Sequence, residues 1–125
     1  MLKMLIADDH PIVSERIRQM LSEEFPSAFF VVANDTDSLI QEAQNKEWDI
    51  VISDLVMPGG GGLHALKKIK QVKPLLPFII ISVYQEEQYI TRAINDGAEA
   101  FINKNRAGDE LVITVKRILH EKLNP

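Results

Sequence analysis

The sequence predicts an α/β protein, a doubly wound parallel sheet of five strands with five helices around it. Short apolar runs alternate along the chain with stretches that carry apolar residues at helical spacing. Strands buried on both faces read as continuous apolar runs, whereas a helix that covers a sheet shows one apolar face. This alternation indicates parallel strands joined by right-handed helical crossovers.

Five short runs have the apolar character of buried strands. They are Met4 to Ala7, Phe29 to Ala33, Asp49 to Ser53, Pro77 to Ser82, and Ala100 to Ile102. The third run places Asp54 directly after its end, which matters for the site described below.

The helices are predicted between and after these strands. Pro11 opens the first helix and Pro26 stops it, and Asp35 or Thr36 caps the second. The third helix follows a loop from Met57 to Gly62 and ends at Pro74. The fourth helix spans Glu86 to Asp96, with Gly97 as its C-cap. The fifth helix runs from about Gly108 to Lys122. The side chains expected to face inward are Ile12, Val13, Ile17, Met20 and Leu21; Leu39, Ile40 and Ala43; Leu63, Leu66, Ile69 and Val72; Ile90, Ala93 and Ile94; and Leu111, Val112, Val115, Ile118 and Leu119.

Composition fits one globular domain. The chain has 125 residues, 46% of them hydrophobic, and no linker or repeat divides it. The absence of cysteine excludes disulfides and cysteine metal sites and suits a reducing compartment. The net charge of −4 and the lack of a basic cluster argue against DNA binding by this chain alone. Apolar runs are too short to span a membrane and no signal peptide is seen, so a cytoplasmic location is expected.

Polar residues follow four of the five strands, at the edge where such folds bind ligands. Asp8 and Asp9 follow the first strand, Asp54 the third and Lys104 the fifth, and Ser82 ends the fourth. At an effective dielectric of about 20, two like charges about 4 Å apart repel by roughly 4 kcal/mol, which a divalent cation would relieve. No His or Cys is expected near these carboxylate oxygens, so the predicted ion is Mg²⁺ or Mn²⁺ rather than Zn²⁺. The cation, the Ser82 hydroxyl and the Lys104 ammonium would clamp a phosphoryl group carried by a carboxylate nucleophile.

Four motifs in order resemble the response-regulator receiver domain, in particular its LuxR/NarL-type subgroup. They are LIADDHP (5–11), VISDLVMPGGGGL (51–63), IIIS (79–82) and GAEAFINK (97–104). The resemblance covers nearly the full chain and implies a single receiver domain over residues 1–125. It also implies a flavodoxin-like strand order of 2-1-3-4-5.

The resemblance also implies a role for each matching residue. Asp54 would be the phosphoacceptor, and Asp8 and Asp9 the acidic pair, with Asp9 a direct Mg²⁺ ligand. The backbone carbonyl of Val56 would be the third protein ligand. Ser82 and Lys104 would hold the phosphoryl oxygens. Phe101 occupies the aromatic switch position, and its ring would move together with Ser82.

Three positions depart from the family pattern. Asn105 stands where many relatives have proline after the lysine, so a cis bond is not expected there. Gly60 and Gly61 replace bulkier residues and predict a looser loop. Phe101 lacks the hydroxyl of the commoner tyrosine, so contacts of that hydroxyl would be lost.

As a receiver, the chain would take its phosphoryl group from a sensor histidine kinase or a phosphotransfer protein and change conformation, with a homodimer as one outcome. Regulation of transcription would require a DNA-binding output domain, which is absent from this chain. The chain would therefore be either a stand-alone receiver or a fragment of a longer regulator, and the fragment is favoured here. Such a protein catalyses only its own phosphorylation and dephosphorylation.

Three rival hypotheses make different use of the same features. A degenerate receiver would act by protein–protein interaction alone. An aspartyl-phosphate hydrolase usually has Asp-x-Asp after the first strand, whereas here Asp8 and Asp9 are adjacent. A flavin carrier needs a phosphate-binding loop after the first strand, where Asp8 and Asp9 stand here.

The three histidines show no metal-ligand spacing. The simplest interpretation makes His10, His64 and His120 surface or capping residues.

Overall fold

The computed structural model describes residues 1–123 and confirms the predicted architecture. Five parallel strands form one sheet in the order β2-β1-β3-β4-β5. The elements are β1 (Lys3–Ala7), α1 (Pro11–Glu24), β2 (Phe29–Ala33), α2 (Thr36–Asn45), β3 (Ile50–Asp54), α3 (Gly61–Val72), β4 (Phe78–Ser82), α4 (Glu87–Asn95), β5 (Ala100–Asn103), a short 3-10 helix (Lys104–Arg106) and α5 (Ala107–Leu123). The predicted domain end at Pro125 lies outside the described residues.

The core consists of two apolar layers, one on each face of the sheet. Alternate residues of each strand point to opposite faces, so Leu5 belongs to one layer and Ile6 to the other. Helices α2, α3 and α4 cover the first layer, and α1 and α5 cover the second. All five residues of β3 and of β4 are buried, which holds the ends of these central strands in fixed positions.

Most inward-facing predictions are correct, and three are wrong. Ile12 is 76% exposed because the buried stripe of α1 runs through Ser14, Ile17 and Leu21 instead. Val72 and Ile94 are also exposed, the first at the end of α3 and the second one residue beyond the buried Ala93.

Strand and helix bounds differ slightly from the prediction at the functional edge. Asp54 is the last residue of β3 and pairs in register with Ile81 of β4, so backbone hydrogen bonds hold it within the sheet. Lys104 opens the unpredicted 3-10 helix. In the described part of the chain every peptide bond is trans, including the Lys104–Asn105 bond. None of the described helices is long and apolar enough to cross a membrane.

Candidate phosphoacceptor site

Lys104 links the carboxylates that follow β1 and β3. Its Nζ lies 2.9 Å from Asp54 Oδ2, to which it donates a hydrogen bond, and 3.0 Å from Asp8 Oδ2. Asp8 is fully buried and Asp54 nearly so, so one ammonium faces two carboxylates away from bulk water. The sequence correctly brought these three residues to one edge of the sheet.

The site is short of positive charge. Burial and the nearby Asp8 carboxylate raise the pKa of the Asp54 carboxyl group, whereas contacts with Lys104 and with the Val56 backbone N–H lower it, and the net pKa lies above its usual value. Burial alone would lower the pKa of Lys104, but contact with Asp54 and Asp8 outweighs burial and raises it. The site holds the three acids Asp8, Asp9 and Asp54 and one lysine, so a further cation would stabilise the ionised form of Asp54.

The donor set fits a divalent cation. Asp8, Asp9, His10 and Asp54 each offer one ligand atom, and these atoms all lie within 4.8 Å of one another. Asp9 Oδ1 is buried and has no hydrogen-bond partner, whereas Asp8 Oδ2, which is also buried, has the Lys104 ammonium 3.0 Å away. A buried carboxylate oxygen without a hydrogen-bond donor is costly, and coordination of a cation removes that cost.

The histidine ring at position 10 is closer to the acids than the sequence suggested. His10 is exposed, as expected of a surface residue, but its Nδ1 lies 3.1 Å from both Asp8 Oδ1 and Asp9 Oδ1. The expectation that no histidine lies near the acidic oxygens was therefore wrong. Sequence spacing could not show this, because the orientation of the ring depends on the turn that joins β1 to α1.

Ser82 and Phe101 lie on β4 and β5, the two strands on one side of Asp54, and the backbone N–H of Val56 donates to the Asp54 carboxylate. Ser82 is buried at the end of β4, and its Oγ accepts a hydrogen bond of 2.8 Å from the Tyr84 N–H. Phe101 is partly buried and packs against the layer covered by α2, α3 and α4. The roles of these two residues, and of the Val56 carbonyl as a ligand, stay predictions.

One anchor of the loop between β3 and α3 was not recognised from the sequence. Thr36, at the start of α2, is fully buried, and its backbone N–H donates a hydrogen bond of 3.0 Å to the Pro58 carbonyl. Its Oγ1 accepts one of 2.9 Å from the Gly61 N–H. Asp35, proposed beside Thr36 as the cap, does cap α2 by accepting from the Ser38 N–H. The structure thus assigns Gly61 to the first turn of α3, tied to Thr36, whereas the sequence placed it in a loose loop.

Replacement of Thr36 by valine is expected to destabilise the protein by about 1–3 kcal/mol. Valine keeps the shape but leaves the buried Gly61 N–H without an acceptor, and the desolvation cost of such a group has this size. Thr36→Ser keeps the hydroxyl and is the matched control. Urea unfolding measures both variants, and equal losses for valine and serine would show that packing of the methyl group, not the hydrogen bond, matters.

The comparisons with known proteins identify the family. The family described as "Response regulator receiver domain" matches residues 4–116. The chain belongs to this family. The receiver is 34% identical over 121 residues to the glycerol metabolism activator of Pseudomonas putida, covering 96% of this chain and 55% of that protein. It is 30% identical over 118 residues to the oxygen regulatory protein NreC of Staphylococcus haemolyticus, covering 94% and 54%. The receiver thus spans about half the length of the curated relatives it matches.

Solved structures agree with this assignment. A LuxR-family two-component response regulator from Aurantimonas sp. SI85-9A1 superposes with a TM-score of 0.86 at 31% identity, covering 95% of the receiver and 85% of that chain. A CheY-like receiver protein from Methanospirillum hungatei JF-1 gives a TM-score of 0.89 at 23% identity, covering 97% and 95%, and supports the fold alone. The family is one of phosphoacceptor switches in phosphorelay signalling, which favours that function over the hydrolase and flavin-carrier alternatives.

Proposed function

We propose that this receiver takes a phosphoryl group on Asp54 in a Mg²⁺-dependent reaction and changes conformation in response. The observation that carries the proposal is the shared lysine: Nζ of Lys104 lies within 3.0 Å of both Asp54 and Asp8, beside the buried Asp9 Oδ1, which has no hydrogen-bond partner. A site that holds only one cationic side chain among three acids accommodates both a metal ion and a phosphoryl group.

In the proposed reaction an oxygen of Asp54 attacks the phosphorus of the donor. A new P–O bond forms the acyl phosphate while the bond from phosphorus to the donor breaks, and the donor leaves with that electron pair. Lys104 exchanges its hydrogen bond with Asp54 Oδ2 for one with a phosphoryl oxygen, so its charge stays beside the growing negative charge. In the proposed self-dephosphorylation, water attacks the same phosphorus while the P–O bond to Asp54 breaks, which releases inorganic phosphate and restores the free carboxylate.

The proposed metal ligands are Asp8, Asp9, Asp54 and the backbone carbonyl of Val56, with Mn²⁺ as an alternative to Mg²⁺. Bound there, the cation would offset the negative charge of the acids and of the phosphoryl oxygens. The buried Asp9 Oδ1, which has no hydrogen-bond partner, and the fully buried Asp8 carboxylate support this ligand set, with Asp9 the direct ligand.

Millimolar Mg²⁺ is expected to raise the melting temperature of the wild type, and Asp9→Ala is expected to remove most of that rise. The ion binds the folded acidic site only, and at ten times its dissociation constant it would add about 1.4 kcal/mol of stability. Thermal unfolding with and without Mg²⁺ gives the result. Asp37→Ala, an exposed acid in the first turn of α2, is the control and should keep the full rise. An equal rise in the wild type and in Asp9→Ala would refute Asp9 as a ligand.

The proposed switch couples Ser82 to Phe101. The Ser82 hydroxyl now accepts from the Tyr84 N–H, and a phosphoryl oxygen on Asp54 would offer an acceptor for its hydrogen. Movement of Ser82 toward that oxygen opens space between β4 and β5. Phe101 turns inward to fill it, because a void beside an aromatic ring loses packing. The surface that changes would run from about Tyr84 to Leu119, which includes α4, β5 and much of α5.

The proposed donor is a sensor histidine kinase or a phosphotransfer protein in the cytoplasm, where phosphoryl groups derived from ATP are available. A groove beside Lys104, lined by Val13, Arg16, Met20 and Asn105, provides a docking place next to Asp54. Ile12, which is 76% exposed, adds apolar surface to the same end of α1.

The proposed output lies outside residues 1–125. The receiver spans 55% of the glycerol metabolism activator. We propose that it controls a separate DNA-binding domain of a longer transcription regulator. The changed surface would act by releasing that domain or by favouring a homodimer. A stand-alone or degenerate receiver that acts only through protein contacts is the alternative, which the phosphorylation test in the Discussion separates from this proposal.

A further inference from the structure

The ring of His10 is oriented toward the acidic site although nothing in the fold of α1 requires it. His10 occupies the N-cap position of α1, but its side chain makes no capping hydrogen bond. Its backbone N–H instead donates to Asp8 Oδ1 at 2.8 Å, which fixes the turn and brings the ring over the acids. The ring is 65% exposed, so the apolar core does not hold it in this orientation.

One nitrogen of this ring faces two carboxylate oxygens. Nδ1 is 3.1 Å from Asp8 Oδ1 and 3.1 Å from Asp9 Oδ1. A single N–H can form a good hydrogen bond with only one of them. The contact to Asp8 meets the geometry of a hydrogen bond, whereas Asp9 Oδ1 is buried and has no hydrogen-bond partner. A hydrogen bond therefore explains one of the two contacts and leaves the second oxygen unsatisfied.

The spacing of these three atoms fits coordination of one cation. Two ligand atoms about 2.1 Å from one metal ion are about 3.0 Å apart at right angles and about 3.4 Å apart in the tetrahedral arrangement that Zn²⁺ prefers. The two distances of 3.1 Å from Nδ1 lie within this range, and an oxygen of Asp54 completes a group of four ligand atoms within 4.8 Å of one another. With its hydrogen on Nε2, the ring would offer the lone pair of Nδ1.

We infer that His10 is a nitrogen ligand that lets the acidic site bind Zn²⁺ in addition to Mg²⁺. Imidazole is a good ligand for Zn²⁺, whereas Mg²⁺ is bound by oxygen ligands and water. His10 would thus set the metal selectivity of the site and contribute little to Mg²⁺ binding. The inference rests on the proposed cation site at Asp9 and Asp54.

The test is a calorimetric titration of the whole chain with Zn²⁺ and, separately, with Mg²⁺. Replacement of a ligand or of its immediate support costs metal sites about tenfold or more in affinity, so His10→Asn is expected to weaken Zn²⁺ binding by about tenfold and to leave the affinity for Mg²⁺ unchanged. His120→Asn, near the end of α5, is the control for binding of Zn²⁺ to surface histidines and should leave both affinities unchanged.

A second readout looks at the ring itself. In ¹⁵N NMR of the wild type, the Nδ1 resonance of His10 is expected to shift much further on addition of one equivalent of Zn²⁺, which binds this nitrogen, than with saturating Mg²⁺, which binds only the neighbouring oxygens. An unmoved Nδ1 resonance at saturating Zn²⁺, or equal Zn²⁺ affinities for wild type and His10→Asn, would overturn the inference. If the wild type bound neither ion, the proposed cation site itself would be refuted. If Mg²⁺ binding were retained and the Zn²⁺ affinity of His10→Asn equalled that of the wild type, only the role of His10 would be rejected.

Discussion

An Asp54→Asn variant is expected to take no phosphoryl group from acetyl phosphate and Mg²⁺, whereas the wild type gains one, about 80 Da in intact mass. The amide cannot act as the nucleophile that forms an acyl phosphate. The substitution keeps the size of a side chain that is 5% exposed at the end of β3, so the sheet around it is preserved.

Intact-protein mass spectrometry measures this result, and Asp37→Asn is the matched control. Asp37 is exposed on the first turn of α2, so its variant should be labelled like the wild type. Undiminished labelling of Asp54→Asn would place the phosphoryl group on another residue. A wild type that is never labelled would favour the degenerate receiver.

Replacement of Gly62 by alanine is expected to destabilise the fold by about 1–3 kcal/mol, the usual cost of forcing an extra methyl group into a packed site. A Cβ at this position would lie 2.3 Å from the Asp54 carbonyl oxygen and 3.1 Å from the Ser53 Oγ. The nearest atom belongs to the backbone of a buried strand, so either β3 or the start of α3 must move. Phosphorylation should slow as well, because that movement displaces Asp54.

Gly108→Ala provides the contrast within the same chain. Gly108 lies in the first turn of α5, and a Cβ there would meet no atom within 4 Å. Alanine is the better helix former, so this variant should be neutral or slightly stabilised. Urea unfolding of both variants gives the comparison, and equal stability of Gly62→Ala and Gly108→Ala would contradict the close approach of Gly62 to Asp54.

The strands and the edge that carries the acids could be predicted from simple patterns, whereas the strand order came from the family resemblance. β3 and β4 are buried on both faces and therefore consist of continuous apolar runs, and Asp54 lies where β3 ends. Asp8 follows β1, which is next to β3, and Lys104 follows β5, which lies beyond β4, so the parallel arrangement brings both to the same edge and the long lysine side chain reaches Asp54.

Contacts that depend on side-chain direction could not be predicted. The hydrogen bond from Gly61 to Thr36 joins residues 25 positions apart, and no local pattern signals it. His10 was interpreted as a surface residue because its neighbours in sequence gave no ligand spacing, yet the turn after β1 points its ring back at Asp8 and Asp9. Ile12 fits an apolar helical stripe by composition, but Ser14 occupies the buried position.

The measurement that most directly tests the phosphoryl-driven switch is an NMR comparison of the wild type with and without beryllofluoride and Mg²⁺. Beryllofluoride mimics the phosphoryl group on a carboxylate, so the proposal predicts shifts around Asp54 and also at Phe101, α4 and α5. Ser82→Ala should keep the shifts around Asp54 and reduce the remote ones, because its hydroxyl links the two regions. Shifts confined to the loop around Asp54, with Phe101 and its neighbours unchanged in the wild type, would contradict the switch.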